Sequence, residues 1–226
     1  TIQIETMGMH VGQVNGLAVI SAGPLTYGFP TRITAAVGPG TEGAINIEGE
    51  ASMSGRIHTK GFHILLGLLR NLVDPPHPLA FDASIAFEQS YGGIDGDSAS
   101  GAELVCLMSA LADVPVRQDL AMTGAIDQHG NVEPIGAVNE KIEGFFDVCT
   151  HTELTGTQGV LIPQANAGDL MLRQDVVDAC VDGRFQVHAV ARIEEALGLF
   201  TGLDPDDVVD RARARAATFW EQVRPR

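Results

Sequence analysis

A serine behind a glycine-rich run and a lysine set among apolar residues are the two side chains best suited to chemistry in this sequence. Ser98 follows Tyr91-Gly92-Gly93-Ile94-Asp95-Gly96-Asp97 and opens SASGAELVCLMSAL, which has the pattern of a buried helix. A serine at a helix N-terminus has backbone N–H groups beside it and the positive end of the helix dipole behind it. That setting stabilises an oxyanion during acyl transfer. Glycines at 92, 93 and 96 let the backbone approach a substrate closely. The same position also suits a serine that only caps its helix, and this segment alone leaves both readings open.

The string Gly96-Asp97-Ser98 fits the familiar serine-hydrolase signatures poorly. A GDSG-type protease needs an upstream histidine base; His10, His58, His63 and His77 are available, but a helix directly after the serine does not suit that fold. A GDS hydrolase carries its serine near the N-terminus with a DxxH near the C-terminus, whereas Ser98 is mid-chain and no DxxH follows it. GxSxG fails because Ser100 stands where the last glycine would be. The base must come from elsewhere. The chain has only two lysines, Lys60 and Lys141, against twelve arginines. Lysine can lose its proton where arginine cannot. Lys141 lies early in a helical pattern, IGAVNEKIEGFF, where burial and the helix N-terminal field both disfavour the ammonium. The plain alternative is a surface lysine paired with Glu143 or a neighbour.

These residues need elements to hold them. Residues 2–50 alternate and break at Gly and Pro, which reads as short strands joined by turns. A helix is expected from Gly61 to Leu72, ended by Asp74-Pro75-Pro76, and a strand at FDASIAF (81–87). LAMTGAI (120–126) reads as a strand with a tight DQHGN turn after it, and Asn139–Val148 as a helix capped by Asn139. GVLIP (159–163) and FQVHAV (185–190) read as core strands around a helix LMLRQDVVDACV, and two terminal helices follow at 193–200 and 206–223. Strands first, then strands alternating with helices, predict an α+β fold: mixed α/β sheets with flanking helices. One compact domain is expected, with the strand-rich first third as a possible lobe of its own.

Composition narrows the partners. Fourteen basic against 29 acidic residues give a net charge of −15, which disfavours nucleic acid and anionic membrane as partners. Cys106, Cys149 and Cys180 are far apart and odd in number, pointing to a reducing compartment. No HExxH-like spacing suggests a metal, and the apolar run at 62–69 is too short to span a bilayer. TIQIET has no signal-peptide character, so a soluble cytoplasmic protein is expected. The chain begins without Met, as a fragment of something longer would.

Three segments carry a resemblance: EQSYGGIDGDSASGAEL (88–104), MTGAIDQHGNVEPIGAVNEKIEGF (122–145) and IHTKGFHILLGLL (57–69). They closely resemble the protease domain of the Lon family, most of all its B-type and related bacterial branches. VGQVNGLAV (11–19) extends the likeness over most of residues 11–165. The resemblance implies the Lon proteolytic fold, like domain 2 of ribosomal protein S5, over residues 1–202. Residues 1–80 would be its strand-rich first part, 81–202 its catalytic part, and 203–226 a C-terminal helix packed on the domain or on a neighbouring subunit.

The resemblance also implies a serine endopeptidase acting on unfolded or damaged protein through a Ser–Lys dyad. Ser98 would be the nucleophile and Lys141, 43 positions on, the general base. Thr123 would orient the lysine, and backbone amides within Gly96, Asp97, Ser98 and Ala99 would stabilise the oxyanion. Asp95 matches a loop residue that shapes or occludes the site in related enzymes and is not a catalytic acid. Glu88 and Gln89 lie on the adjoining strand, with edge contacts and substrate contact equally open. Ser100 agrees with the B-type SAS. A homo-hexameric ring is implied. GPGTEG (38–43) lacks the lysine of a phosphate-binding loop, so no cofactor is expected in this chain, and ATP would enter only through a separate ATPase segment. One competing expectation is a silent Lon-like scaffold within a larger ATPase, which the acidic charge and the presence of Ser98, Lys141 and Thr123 disfavour; another, an autoinhibited domain with Asp95 or the glycine-rich loop blocking the site, is compatible with all of these features.

Overall fold

Strict alternation in FDASIAF puts Phe81, Ala83, Ile85 and Phe87 on one buried face of a strand, and that period of two organises the sheet. A computed structural model describes residues 4–41, the backbone of 44–46, and residues 52–90 and 93–224. Tyr91 and Gly92 of the glycine-rich run, Glu42 and Gly43 of GPGTEG, and residues 2, 3 and 47–50 of the strand-rich first third lie outside the described residues.

In chain order the first elements are β1 (Met9–His10), β2 (Gln13–Ala22), β3 (Leu25–Pro39), β4 (Ala44–Asn46), α1 (Arg56–Val73) and β5 (Phe81–Phe87). Next come α2 (Ser100–Ala112), β6 (Val116–Arg117), β7 (Leu120–Met122), β8 (Ala125–Ile126), β9 (Val132–Glu133) and α3 (Val138–Thr152). The chain closes with β10 (Gly159–Pro163), a 3-10 turn (Gln164–Asp169), α4 (Gln174–Val181), β11 (Gln186–Val190), α5 (Ile193–Thr201) and α6 (Pro205–Val223).

Seven strands form one mixed sheet in the order β11-β10-β7-β2-β3-β5-β4. β2, β7, β10 and β11 run parallel, β3 is antiparallel to both β2 and β5, and β4 is parallel to β5. Two short ladders, β1 with β6 and β8 with β9, stand outside it. The pleat divides the core in two. Leu120, Met122 and Leu161 face one side with α1, α2, α5 and α6, while Ala121, Val160 and Ile162 face the other with α3 and α4. The result is an α+β fold with helices on both faces of a mixed sheet. Every residue of α2 is buried, so this helix is the centre of the larger core. α6 adds Val208, Ala212, Ala216 and Phe219 to the same core at helical spacing. No helix among the described residues is long and apolar enough to cross a membrane.

Several local expectations change. The first third is not a set of short strands: β2 and β3 form one long hairpin in register from Gln13↔Thr34 to Ala22↔Leu25. α1 begins five residues before the expected start, at Arg56. The strand read at 120–126 ends at Met122, and Ala125–Ile126 turns away to pair with β9. Asn139 does not cap α3. Ala137 holds that position with φ 55°, while the Asn139 side chain donates to Asp169 O and accepts from Met171 N. The helix read over LMLRQDVVDACV is confined to Gln174–Val181.

Candidate active site

Ser98 stands two residues before α2 rather than within it. The N-cap is Ala99, and no side chain caps the helix. Ser98 Oγ is therefore not a capping group; it accepts a hydrogen bond from Lys141 Nζ at 3.1 Å. The turn is held from both sides. Ser100 N donates to Asp97 O at 3.0 Å, and Gly124 N donates to Ser98 O at 2.8 Å. Gly96 has φ 92°, a conformation glycine adopts without steric cost. Among the described residues, the amides of Ser98 and Ala99 have no backbone partner.

Lys141 arrives from the opposite core. The buried residues of α3 are Val138, Lys141, Ile142, Phe145, Phe146 and Cys149, a 3-1-3-1-3 spacing that makes one stripe. Lys141 sits inside that stripe and is 3% exposed. The helix lies unusually close to β3: a Cβ on Gly28 would come within 1.9 Å of Glu140 O, and one on Gly144 within 2.1 Å of Gly28 O. Backbone thus rests on backbone, which brings the lysine stem to the sheet.

Thr123 follows from the pleat. Ala121 faces the α3 side, and Thr123, two residues on, shares that face. Its Oγ1 accepts from Lys141 Nζ at 3.2 Å and donates to Ser98 O at 3.5 Å. Thr123 is fully buried, so its hydroxyl is committed to these two partners. Burial pulls the Lys141 pKa down to about 8; the nearby Asp97 carboxylate opposes the shift without cancelling it.

A cavity of about 400 Å3 opens over the pair, bordered by Leu17, Phe29, Phe87 and Ile94 as well as by Ser98 and Lys141. Gln89 and Asp95 also border it. The Asp95 carboxylate, however, is turned to α1: Oδ1 accepts from the amides of Gly96 at 2.8 Å, Ile57 at 3.2 Å and His58 at 3.3 Å. Those bonds, Gly96 first, lower its pKa. Glu88 faces away and accepts from Thr34 Oγ1 at 2.8 Å. Gly96, Asp97, Ser98, Ala99, Thr123 and Lys141 therefore converge, whereas Glu88 does not join them. Sequence reading passed over Gly28, Gly144 and Glu103. A glycine inside a strand and another inside a helix are the signals for the first two.

The sheet and its helices thus bring the Ser98 hydroxyl, the Lys141 amine and the Thr123 hydroxyl into contact beside a cavity. The Lon protease (S16) C-terminal proteolytic domain matches residues 83–201. The chain is 47% identical over 204 residues to a Lon protease homolog of Escherichia coli (strain K12), covering 89% of this chain and 35% of that protein. It is 46% identical over 205 residues to the homolog of Haemophilus influenzae, covering 90% and 34%. An archaeal Lon protease of Thermococcus kodakarensis is 32% identical over 215 residues, covering 93% and 31%. This chain belongs to the Lon protease family and contains its proteolytic domain. It spans about a third of the length of these relatives.

Proposed function

We propose that this chain is a serine endopeptidase that hydrolyses peptide bonds of unfolded or damaged proteins with Ser98 as nucleophile and Lys141 as general base. The observation that carries this reading is Lys141 Nζ at 3.1 Å from Ser98 Oγ, with its pKa brought to about 8. A general base works best when its pKa lies near the operating pH.

The neutral amine of Lys141 takes the Ser98 proton as Oγ bonds to the scissile carbonyl carbon. The tetrahedral oxyanion is met by the free amides of Ser98 and Ala99. Collapse breaks the C–N bond; the Lys141 ammonium returns its proton to the leaving amine, and an ester on Ser98 remains. Water then attacks that ester, giving a proton to Lys141; the C–Oγ bond breaks, the acid product leaves, and the Lys141 ammonium returns the proton to Ser98 Oγ. Thr123 holds the amine against the rotamer freedom of its four-carbon stem. Beyond Gly16 the β2 edge has no strand partner on the β7 side among the described residues, and Leu17 to Ile20 border the cavity. That edge suits an extended peptide, which would add to the sheet as a further strand.

Asp95 is bound to α1 and not to Lys141, which supports an open site over an occluded one. In the whole protein, assembly as a homo-hexameric ring, a cytoplasmic location and coupling to ATP through a separate segment accompany this reading; none calls for a cofactor in this chain. The test is cleavage of casein and a fluorogenic peptide between pH 7 and pH 9 by the wild-type chain, Ser98→Ala and Lys141→Ala. Loss of at least about 100-fold in both variants is expected. A Lys141→Ala variant as active as wild type would exclude the dyad.

A further inference from the structure

Beneath the nucleophile loop lies a second buried polar contact, which the dyad chemistry does not use. His58, in the first turn of α1, and Glu103, in the first turn of α2, are each 1% exposed. His58 Nε2 is 3.2 Å from Glu103 Oε1, and His58 Nδ1 is 2.6 Å from Ser54 Oγ. One neutral tautomer satisfies both: the Ser54 hydroxyl donates to Nδ1, and Nε2–H donates to the carboxylate. The Phe87 ring packs edge-on to the imidazole at 5.5 Å. Glu103 Oε2 is buried with no hydrogen-bond partner. Ser54 does not border the cavity and also contacts Thr59 Oγ1 at 3.0 Å, so the three residues do not form a second nucleophilic centre.

A buried polar pair with an orphan oxygen is a poor source of stability, because desolvation offsets the attraction. Its location gives it another use. The segment before Ser98 is docked on the start of α1. Gly55 N donates to Ile94 O at 2.6 Å, Ile94 N donates to Met53 O at 2.7 Å, and Asp95 accepts from the α1 amides. A Cβ on Gly61 would stand 2.9 Å from Asp97 Cβ, so α1 also touches the loop at Asp97. The segment after Ser98 is α2, and its polar tie to α1 is His58–Glu103.

We infer that His58 and Glu103 are positioning residues, whose contact locks the first turn of α1 to the first turn of α2 and so holds Ser98 where Lys141 can reach it. The inference rests on the dyad reading. The Ser98 backbone is clasped on its N-terminal side by residues 53–58 and on its C-terminal side by Glu103, with both clasps meeting at His58. Loosening the second lets α2 slide along α1 and lengthens the Nζ–Oγ contact. A displacement of about 1 Å costs on the order of 100-fold in rate.

The experiment compares the wild-type chain with His58→Leu/Glu103→Leu and with Glu103→Gln, by peptide cleavage, thermal melting and amide hydrogen exchange. The double variant replaces the pair with apolar side chains, a change that for buried polar pairs is often neutral or stabilising. It is expected to melt at or above the wild-type temperature, with kcat lower by about 10- to 100-fold and KM within about twofold. Amides from Ile94 to Ser100 should exchange faster while the centre of α2 stays protected. Glu103→Gln keeps the acceptor and is expected to stay within about threefold of wild-type kcat. The proposal is overturned by a double variant with wild-type kcat or unchanged loop exchange. It is equally overturned if the double variant fails to fold, or loses activity only in step with melting temperature, or if Glu103→Gln is as inactive as the double variant. A folded wild-type chain that cleaves no peptide would count against the dyad; the loop exchange would still decide whether the pair holds the loop.

Discussion

Lys141 shows how one residue can serve the proposed chemistry at the expense of the fold. Its pKa is about 8 in the folded chain against 10.5 for an ordinary lysine, with burial as the leading cause. Between those values the unfolded chain holds more protons than the folded one, so stability rises as pH rises from about 8 to about 10.5. Below pH 8 the ammonium is buried at a cost of at most about 3 kcal/mol. Lys141→Met is therefore expected to abolish cleavage yet melt higher than wild type at pH 7, with the advantage shrinking towards pH 10. In wild type, kcat/KM should climb through a single limb near pH 8 to a plateau. Calorimetry at the two pH values and a pH–rate profile check this; a Met variant that melts lower at pH 7 would contradict it. Ser98, Lys141 and Thr123 were all legible as residues. The loss of the capping role of Ser98 was not, because Ala99 takes the cap and only the fold shows Oγ turned to Lys141.

At the scale of elements, the critical seat is the crossing of α3 over β3. Gly28 and Gly144 let the two backbones touch, and Lys141 lies at that contact, its Cα 2.7 Å from where a Cβ on Gly28 would stand. Gly144→Ala would place a Cβ 2.1 Å from Gly28 O, which backbone cannot relieve without lifting the helix. The expected result is destabilisation of about 1–3 kcal/mol and a loss of activity on the order of 10- to 100-fold. Gly168→Ala, where a Cβ meets nothing within 4 Å, should leave activity and melting unchanged. Denaturant unfolding and peptide turnover measure both. β5, β10 and the two terminal helices were readable from periodicity alone. The cap at Asn139 was misread because its amide bridges to the 3-10 turn and to Met171, and Ala137 adopts the left-handed conformation instead. The strand at 120–126 was read too long: Thr123 N makes a last bond to Leu161 O while its hydroxyl holds Lys141, and Gly124 N turns to Ser98 O.

For the whole molecule, the larger core is closed by its last helix. Val208, Ala212, Ala216 and Phe219 pack on α2, while Arg213 donates to Val73 O at 2.7 Å and Arg215 to Ala110 O at 3.3 Å, near the C-terminal ends of α1 and α2. His77 stacks on Trp220 with ring centres 5.8 Å apart. A chain ending at Gly202 would expose that face of α2, and is expected to melt at least about 10 °C lower or without cooperativity. Circular dichroism of the two chains decides it; an unchanged melt would mean that α6 is dispensable to the core.

The sequence by itself pointed to the side chains of the proposed dyad, and it carried their family and the type of most elements, because residue chemistry and apolar period are local properties. It also carried the stripe that buries Lys141 in its helix. Tertiary structure alone decided that Ser98 and Lys141 meet at 3.1 Å, that Asp95 bonds α1, that Gly28 meets Gly144, and that His58 meets Glu103 under the nucleophile loop. Each of these joins residues at least 37 positions apart, and burial, pKa and close backbone approach depend on what the sheet brings together from distant parts of the chain.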